Sequence, residues 1–138
     1  MIQRFSHCTI LVLDQDQAKD FYVNKLGFDL RMDNSMGDFR WLTVSPKSQP
    51  DLQLVLLPVG FNGRTDEKTA ACLRDALQRG QIVTHVFQTA DCQKTYEELK
   101  AKGVEFVSPP KEQFYGIEAV MKDPFGNHYS VTQPKQQA

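Results

Sequence analysis

The stretch Asp123-Pro124-Phe125-Gly126-Asn127, running straight into His128-Tyr129-Ser130-Val131-Thr132, decides how the rest of the chain is read. Proline at the first corner, a glycine able to take positive φ and a following asparagine describe a tight hairpin turn between two strands. The second of those strands alternates, with His128, Ser130 and Thr132 on one face and Tyr129 and Val131 on the other. One face is fit for a core and the other for polar work.

Working back from that hairpin, residues 115–122 read as its first strand. Residues 104–107 form another strand, followed by Pro109-Pro110. Before it comes a helix capped by Asp91, carrying Cys92, Tyr96 and Leu99 and ended by Gly103. Residues 82–88 open the series as a strand. The first half repeats the order. Residues 5–13 alternate as a strand apolar on both faces, with Cys8, Ile10 and Val12 opposite His7, Thr9, Leu11 and Leu13. Asp14 or Asp16 caps a helix on which Ala18, Phe21, Tyr22 and Leu26 recur at three- and four-residue spacing, ended by Gly27. Strands are expected over 28–32, 39–44 and 52–57, with a turn at 34–38 and a polar loop at 45–51. Between the halves, Pro58 to Thr65 read as a linker with a proline, two glycines and an Asn62-Gly63 pair, and a connecting helix over 67–79 completes the segment 59–80.

Each half is therefore a βαβββ module, 1–58 and 81–133, within one domain spanning 1–133, and residues 134–138 are a polar tail. The spacings agree closely. His7 to Gln53 is a step of 46 residues and His85 to Ser130 one of 45; Asp14 to Gly27 is 13 and Asp91 to Gly103 is 12. An internal repeat of this kind outweighs any single residue as evidence.

Composition narrows the function. At 138 residues with a net charge of −1 and interspersed signs, the chain has no basic stripe to follow phosphates, so nucleic acid is not an expected partner. No apolar run approaches a membrane span, and the first residues lack a charged segment leading into an apolar one. Cys8, Cys72 and Cys92 form no CxxC pair. Reduced thiols and a cytoplasmic location are the expectation.

The repeat, His7, the run from Ala18-Lys19-Asp20-Phe21-Tyr22 through Leu26-Gly27-Phe28, His85-Val86-Phe87 with Asp91 beyond, and Asp123-Pro124-Phe125-Gly126-Asn127 together resemble the vicinal oxygen chelate superfamily. That is the glyoxalase I, bleomycin-resistance and extradiol-dioxygenase group, and the resemblance covers roughly residues 5–133. It implies an α+β fold in which two βαβββ modules form a cup-shaped half-barrel, and a homodimer. Metal-dependent members draw ligands from the first and fourth strands of each module, slots that correspond here to His7, Gln53, His85 and Ser130. The metal set implied is His7, His85 and Gln53, holding a divalent ion such as Zn, Ni, Fe or Mn. The slot that commonly carries a glutamate carries Ser130 instead. Two imidazoles, an amide and a hydroxyl make a poor divalent site without a carboxylate. Glu118 on the neighbouring strand is a candidate carboxylate whose direction the sequence leaves open.

Two readings follow. The first is a metal-free cup that binds a small molecule, as the bleomycin-resistance branch does. Its wall would be His7, Thr9, Gln53, Val55, His85, Phe87, His128 and Ser130, with Trp41 and Arg40 available to a planar or anionic ligand. The second is a divergent metal-dependent lyase, isomerase or dioxygenase acting on neighbouring substrate oxygens. Imidazoles in such a wall make ligand affinity depend on pH between about 5.5 and 7.5.

Overall fold

Two four-stranded sheets carry the chain. The computed structural model describes residues 1–61 and 63–136. Asn62 of the expected Asn-Gly pair and the last two residues of the expected tail lie outside them. Two units are distinguished, Met1–Asp75 and Ala76–Ala138.

In the first unit, β1 (His7–Val12) leads into a helix α1 (Gln15–Lys19) that continues as a π-helical turn over Asp20–Lys25. Of the two candidate caps, Asp14 takes the role, its carboxylate accepting from the Gln17 amide at 2.8 Å. Strands β2 (Asp29–Met36), β3 (Phe39–Ser45) and β4 (Gln53–Pro58) complete a sheet of order β1-β4-β3-β2, with β1 and β4 parallel and the other pairs antiparallel. The turn expected at 34–38 is shorter. Asn34 pairs with Trp41 and Met36 with Phe39, so β2 runs on to the edge of a two-residue turn at Gly37, which takes φ +59.

Alternation gives this sheet two distinct faces. Ile10, Val12, Leu42, Val44, Leu54 and Leu56 are buried on the α1 side together with Ala18, Phe21 and Tyr22. The Gln15 amide pins α1 to the sheet by donating to the carbonyls of Arg40 (3.0 Å) and Leu56 (2.9 Å). His7, Thr9, Gln53, Val55, Thr43 and Trp41 take the opposite face, termed distal here.

Helix α2 (Glu67–Gln78) precedes the second unit's sheet. There β5 (Thr84–Gln88), α3 (Cys92–Ala101), β6 (Glu105–Gln113), β7 (Gly116–Lys122) and β8 (His128–Pro134) repeat the arrangement, with order β5-β8-β7-β6 and β5 parallel to β8. Asp91 caps α3 by accepting from the Lys94 amide at 3.0 Å. Strand β6 passes through Pro109-Pro110 at the cost of register shifts against β7, which an edge strand tolerates because proline has no N–H to pair. On the α3 side, Phe106, Met121 and Tyr129 stand in register, and Tyr96 of α3 meets Phe106 edge-on at 4.7 Å.

The hairpin between β7 and β8 is held by one buried carboxylate. Asp123 Oδ1 accepts from the amides of Phe125, Gly126 and Asn127 at 2.9, 3.0 and 2.9 Å, and Oδ2 accepts from the Asn127 side chain at 2.7 Å. Gly126 takes φ +114, as its place in the turn required. The fold is α+β, with two βαβββ arrangements and no closed barrel.

Candidate functional site

The distal face of the first sheet is lined by aromatic rings. Alternation puts Phe39 and Trp41 of β3 on it, and parallel pairing puts His7 of β1 beside Gln53 of β4. The His7 and Trp41 rings are 5.9 Å apart, Trp41 and Phe39 6.2 Å, and Phe39 and Phe61 4.9 Å, all tilted. His7, Trp41, Phe39 and Phe61 thus form a continuous aromatic row, with Trp41 only part-buried and His7 exposed. Beside it, Thr43 donates to Gln53 Oε1 at 2.7 Å. That bond fixes the amide and leaves its NH₂ as the group presented outward. Phe61 lay in the expected linker, where a lone aromatic among glycines gave no periodic signal.

Arg40 does not join Trp41. Adjacent residues in a strand face opposite ways, and Arg40 looks toward α1, pairing with Asp33 at 2.8 Å and Asp16 at 2.6 Å. Lys19 adds a second cation to Asp33 at 2.9 Å. Hydrogen bonds from Arg40, then from Lys19, hold the Asp33 carboxyl well below its ordinary 3.8. A depressed carboxylate contributes stability that is complete above its unfolded value and is lost as pH falls through the folded one. Arg40→Gln is therefore expected to cost about 2 kcal/mol at neutral pH, the pair being mostly but not wholly buried. In urea melts the deficit should shrink steadily below the unfolded carboxylate value. A deficit that persists undiminished in acid would show that packing, not charge, was lost.

The second sheet departs from the expected wall. His85 pairs with Tyr129, and Ser130 pairs with Val86, so His85 and Ser130 lie on opposite faces. His85 and Phe87 stand on the α3 side with Tyr129, at ring distances of 5.9 and 4.5 Å. The distal face holds Thr84, Val86, His128, Ser130 and Thr132 instead. The aspartate caps explain the difference. His7 is seven positions before Asp14, and the residue seven before Asp91 is Thr84, not His85. By that count the pair matching His7 and Gln53 is Thr84 and His128, which are indeed in register.

His128 Nδ1 donates to the Gly126 carbonyl at 2.8 Å, which assigns the tautomer and leaves Nε2 as an acceptor. Its ring packs on Gly80, where an added Cβ would come within 2.4 Å of His128 Cε1. Ser130 is buried and donates to Glu118 Oε2 at 2.5 Å, with Thr132 Oγ1 2.7 Å from the same hydroxyl. The direction of Glu118, open from sequence, is thereby settled: it points to the distal face. Cys92 is buried in the α3 side, and desolvation pushes its thiol up, away from reactivity.

The divalent ion that the resemblance implies would need free donors from His7, Gln53 and His85. Gln53 Oε1 already accepts from Thr43, Ser130 already donates to Glu118, and His85 faces α3. Among the described residues no group of three or more His, Cys, Asp or Glu is placed to hold a metal ion. With no carboxylate beside His7 and Gln53 and with His85 on the α3 side of its sheet, these residues do not fit a divalent site as they stand. Among the described residues no helix is long and apolar enough to cross a membrane.

Comparison with known proteins agrees with this architecture. Residues 4–131 match the family described as Glyoxalase/Bleomycin resistance protein/Dioxygenase superfamily. The crystal structure of UcmS2 is 46% identical, with a TM-score of 0.88 over 96% of this chain and 99% of that one. TnmS3, an antibiotic binding protein from Streptomyces sp. CB03234, is 31% identical with a TM-score of 0.76, over 97% and 98% of the two chains. An uncharacterized protein of Shewanella frigidimarina is 36% identical over 96% of this chain and 95% of its own length.

Proposed function

The chain belongs to the glyoxalase, bleomycin resistance protein and dioxygenase superfamily, and from that premise we propose that it is a metal-free binder of small planar aromatic molecules. The observation that carries the reading is the aromatic row His7, Trp41, Phe39 and Phe61, with the Gln53 amide fixed beside it by Thr43. Rings so arranged offer a stacking surface, and the amide offers one oriented hydrogen bond. A binder needs no more than shape and a few placed polar groups, whereas an enzyme must also stabilise developing charge. The kinship to TnmS3, an antibiotic binding protein, supports the same reading. The ligand is then an antibiotic-like fused-ring compound, held by a cytoplasmic homodimer.

Calorimetric titration with flavone, a neutral fused-ring aromatic, tests this against a saturated analogue of the same size. Flavone is expected to bind in the micromolar range and the saturated analogue far more weakly. Protein purified without chelators should carry substoichiometric metal by elemental analysis, and light scattering should give twice the mass of the 15.7 kDa chain. Equal affinity for the two compounds would remove the stacking reading. Stoichiometric metal would return the protein to the lyase, isomerase or dioxygenase class.

A further inference from the structure

We propose that Glu118, on the distal face of the second sheet, is the anchor of a binding site for an organic cation, an ammonium or amidinium group carried on an apolar body. The inference uses the second sheet alone, so it and the aromatic-row reading can fail separately.

Hydroxyl hydrogens converge on this carboxylate. Ser130 donates to Oε2, which leaves Thr132 to donate to Ser130. Tyr115 lies near enough for the carboxylate to hold the phenol's pKa above its ordinary value. The chain Thr132 to Ser130 to Glu118, with Tyr115 nearby on the β6–β7 turn, fixes the position of the carboxylate. A carboxylate accepts about four hydrogen bonds, so the Ser130 hydroxyl leaves capacity for a ligand donor.

Among the described residues its charge also lacks a direct ion pair. Lys122, on the same strand and face, is paired with Glu105 at 3.2 Å. Lys111 is the cross-strand neighbour of Glu118 on β6, yet among the described residues no cation makes an ion pair with Glu118. A network built only for stability would gain by pairing that charge; one built to receive a cation would not.

The surroundings match such a ligand. Val86, in register with Ser130, is 67% exposed beside the network. Tyr115 is part-exposed and meets Phe114 edge-on at 5.0 Å. A phenol ring next to a carboxylate holds a cation from two sides, through charge and through the ring face.

The test is a titration of the whole protein with benzamidinium, followed by amide nuclear magnetic resonance, with neutral benzamide as the isosteric control. Benzamidinium is expected to shift the amides of Glu118, Ser130 and Thr132 and to weaken as salt is raised, whereas benzamide leaves them in place. Glu118→Gln, whose own spectrum reports its fold, should weaken benzamidinium by about tenfold or more. Glu112→Gln, which removes a carboxylate in register with Ile117 on the other face of the sheet, should bind within about threefold of wild type. Equal response to benzamide, wild-type affinity in Glu118→Gln, shifts confined to other residues, or equal losses in the two variants would each overturn the proposal.

Discussion

Replacing Gly126 with alanine is expected to leave little folded protein at physiological temperature. An added Cβ would come within 1.9 Å of the Leu77 carbonyl oxygen and 2.9 Å of its carbon. Both are backbone atoms at the end of α2, so no rotamer change relieves the clash. The backbone at Gly126 has φ +114, a conformation that a side chain rarely adopts even in open space. Strain and overlap together should exceed about 4 kcal/mol, the range in which single substitutions unfold marginal domains. Gly37→Ala is the fitting control. Gly37 also has positive φ, at +59, but nothing lies within 4 Å of its added Cβ, so only the conformational cost of about 1–2 kcal/mol applies. Urea melts of the two variants separate the contributions. If Gly126→Ala were no worse than Gly37→Ala, the turn would not be seated against α2 as described.

Trp41→Ala is expected to remove most of the affinity for a planar aromatic ligand. Trp41 is the middle of the row, 5.9 Å from His7 and 6.2 Å from Phe39, so its loss breaks the stacking surface in two. Truncating a central tryptophan in a binding surface costs about 2–3 kcal/mol, which is roughly a 30- to 150-fold rise in Kd. Trp41→Phe keeps a ring at the same place and should lose less than about tenfold. Calorimetry with flavone distinguishes the two, and circular dichroism confirms that each variant folds. Equal losses in both would point to the indole N–H rather than to stacking. No loss in either would place the ligand away from this face.

The fold was legible because its signals are local. Aspartates before two helices, glycines after them and a Pro-Phe-Gly-Asn turn each fix a short stretch of backbone, and their repetition fixes the order of elements. The Asp123 carboxylate accepting three successive amides is such a local device. The site was less legible because it depends on how β5 lies beside β8, a pairing between strands far apart in sequence. Matching histidine to histidine gave steps of 46 and 45, and pairing in the structure gives 46 for His7 to Gln53 but 44 for Thr84 to His128. A slip of one residue turns every side chain to the other face, and it carried His85 and Phe87 from the expected wall to the α3 side. Counting from Asp14 and Asp91 would have kept the register. Gln53, Trp41, His128 and Ser130 fall on the distal faces of their own sheets, where alternation alone was enough. The direction of Glu118 required the β7–β8 pairing as well, and no periodic pattern announced Phe61.

Trp41 is also the chain's single tryptophan. Its indole is therefore the sole source of long-wavelength ultraviolet emission, and it stands in the row proposed to receive the ligand. Excitation that spares the four tyrosines reads this one position and no other. A molecule that settles on the row changes the polarity beside the indole and, if it absorbs in the near ultraviolet, drains its excited state. The protein thus reports its own occupancy without a dye or label, so that extracts can be surveyed for natural ligands in a plate reader before any compound has been purified.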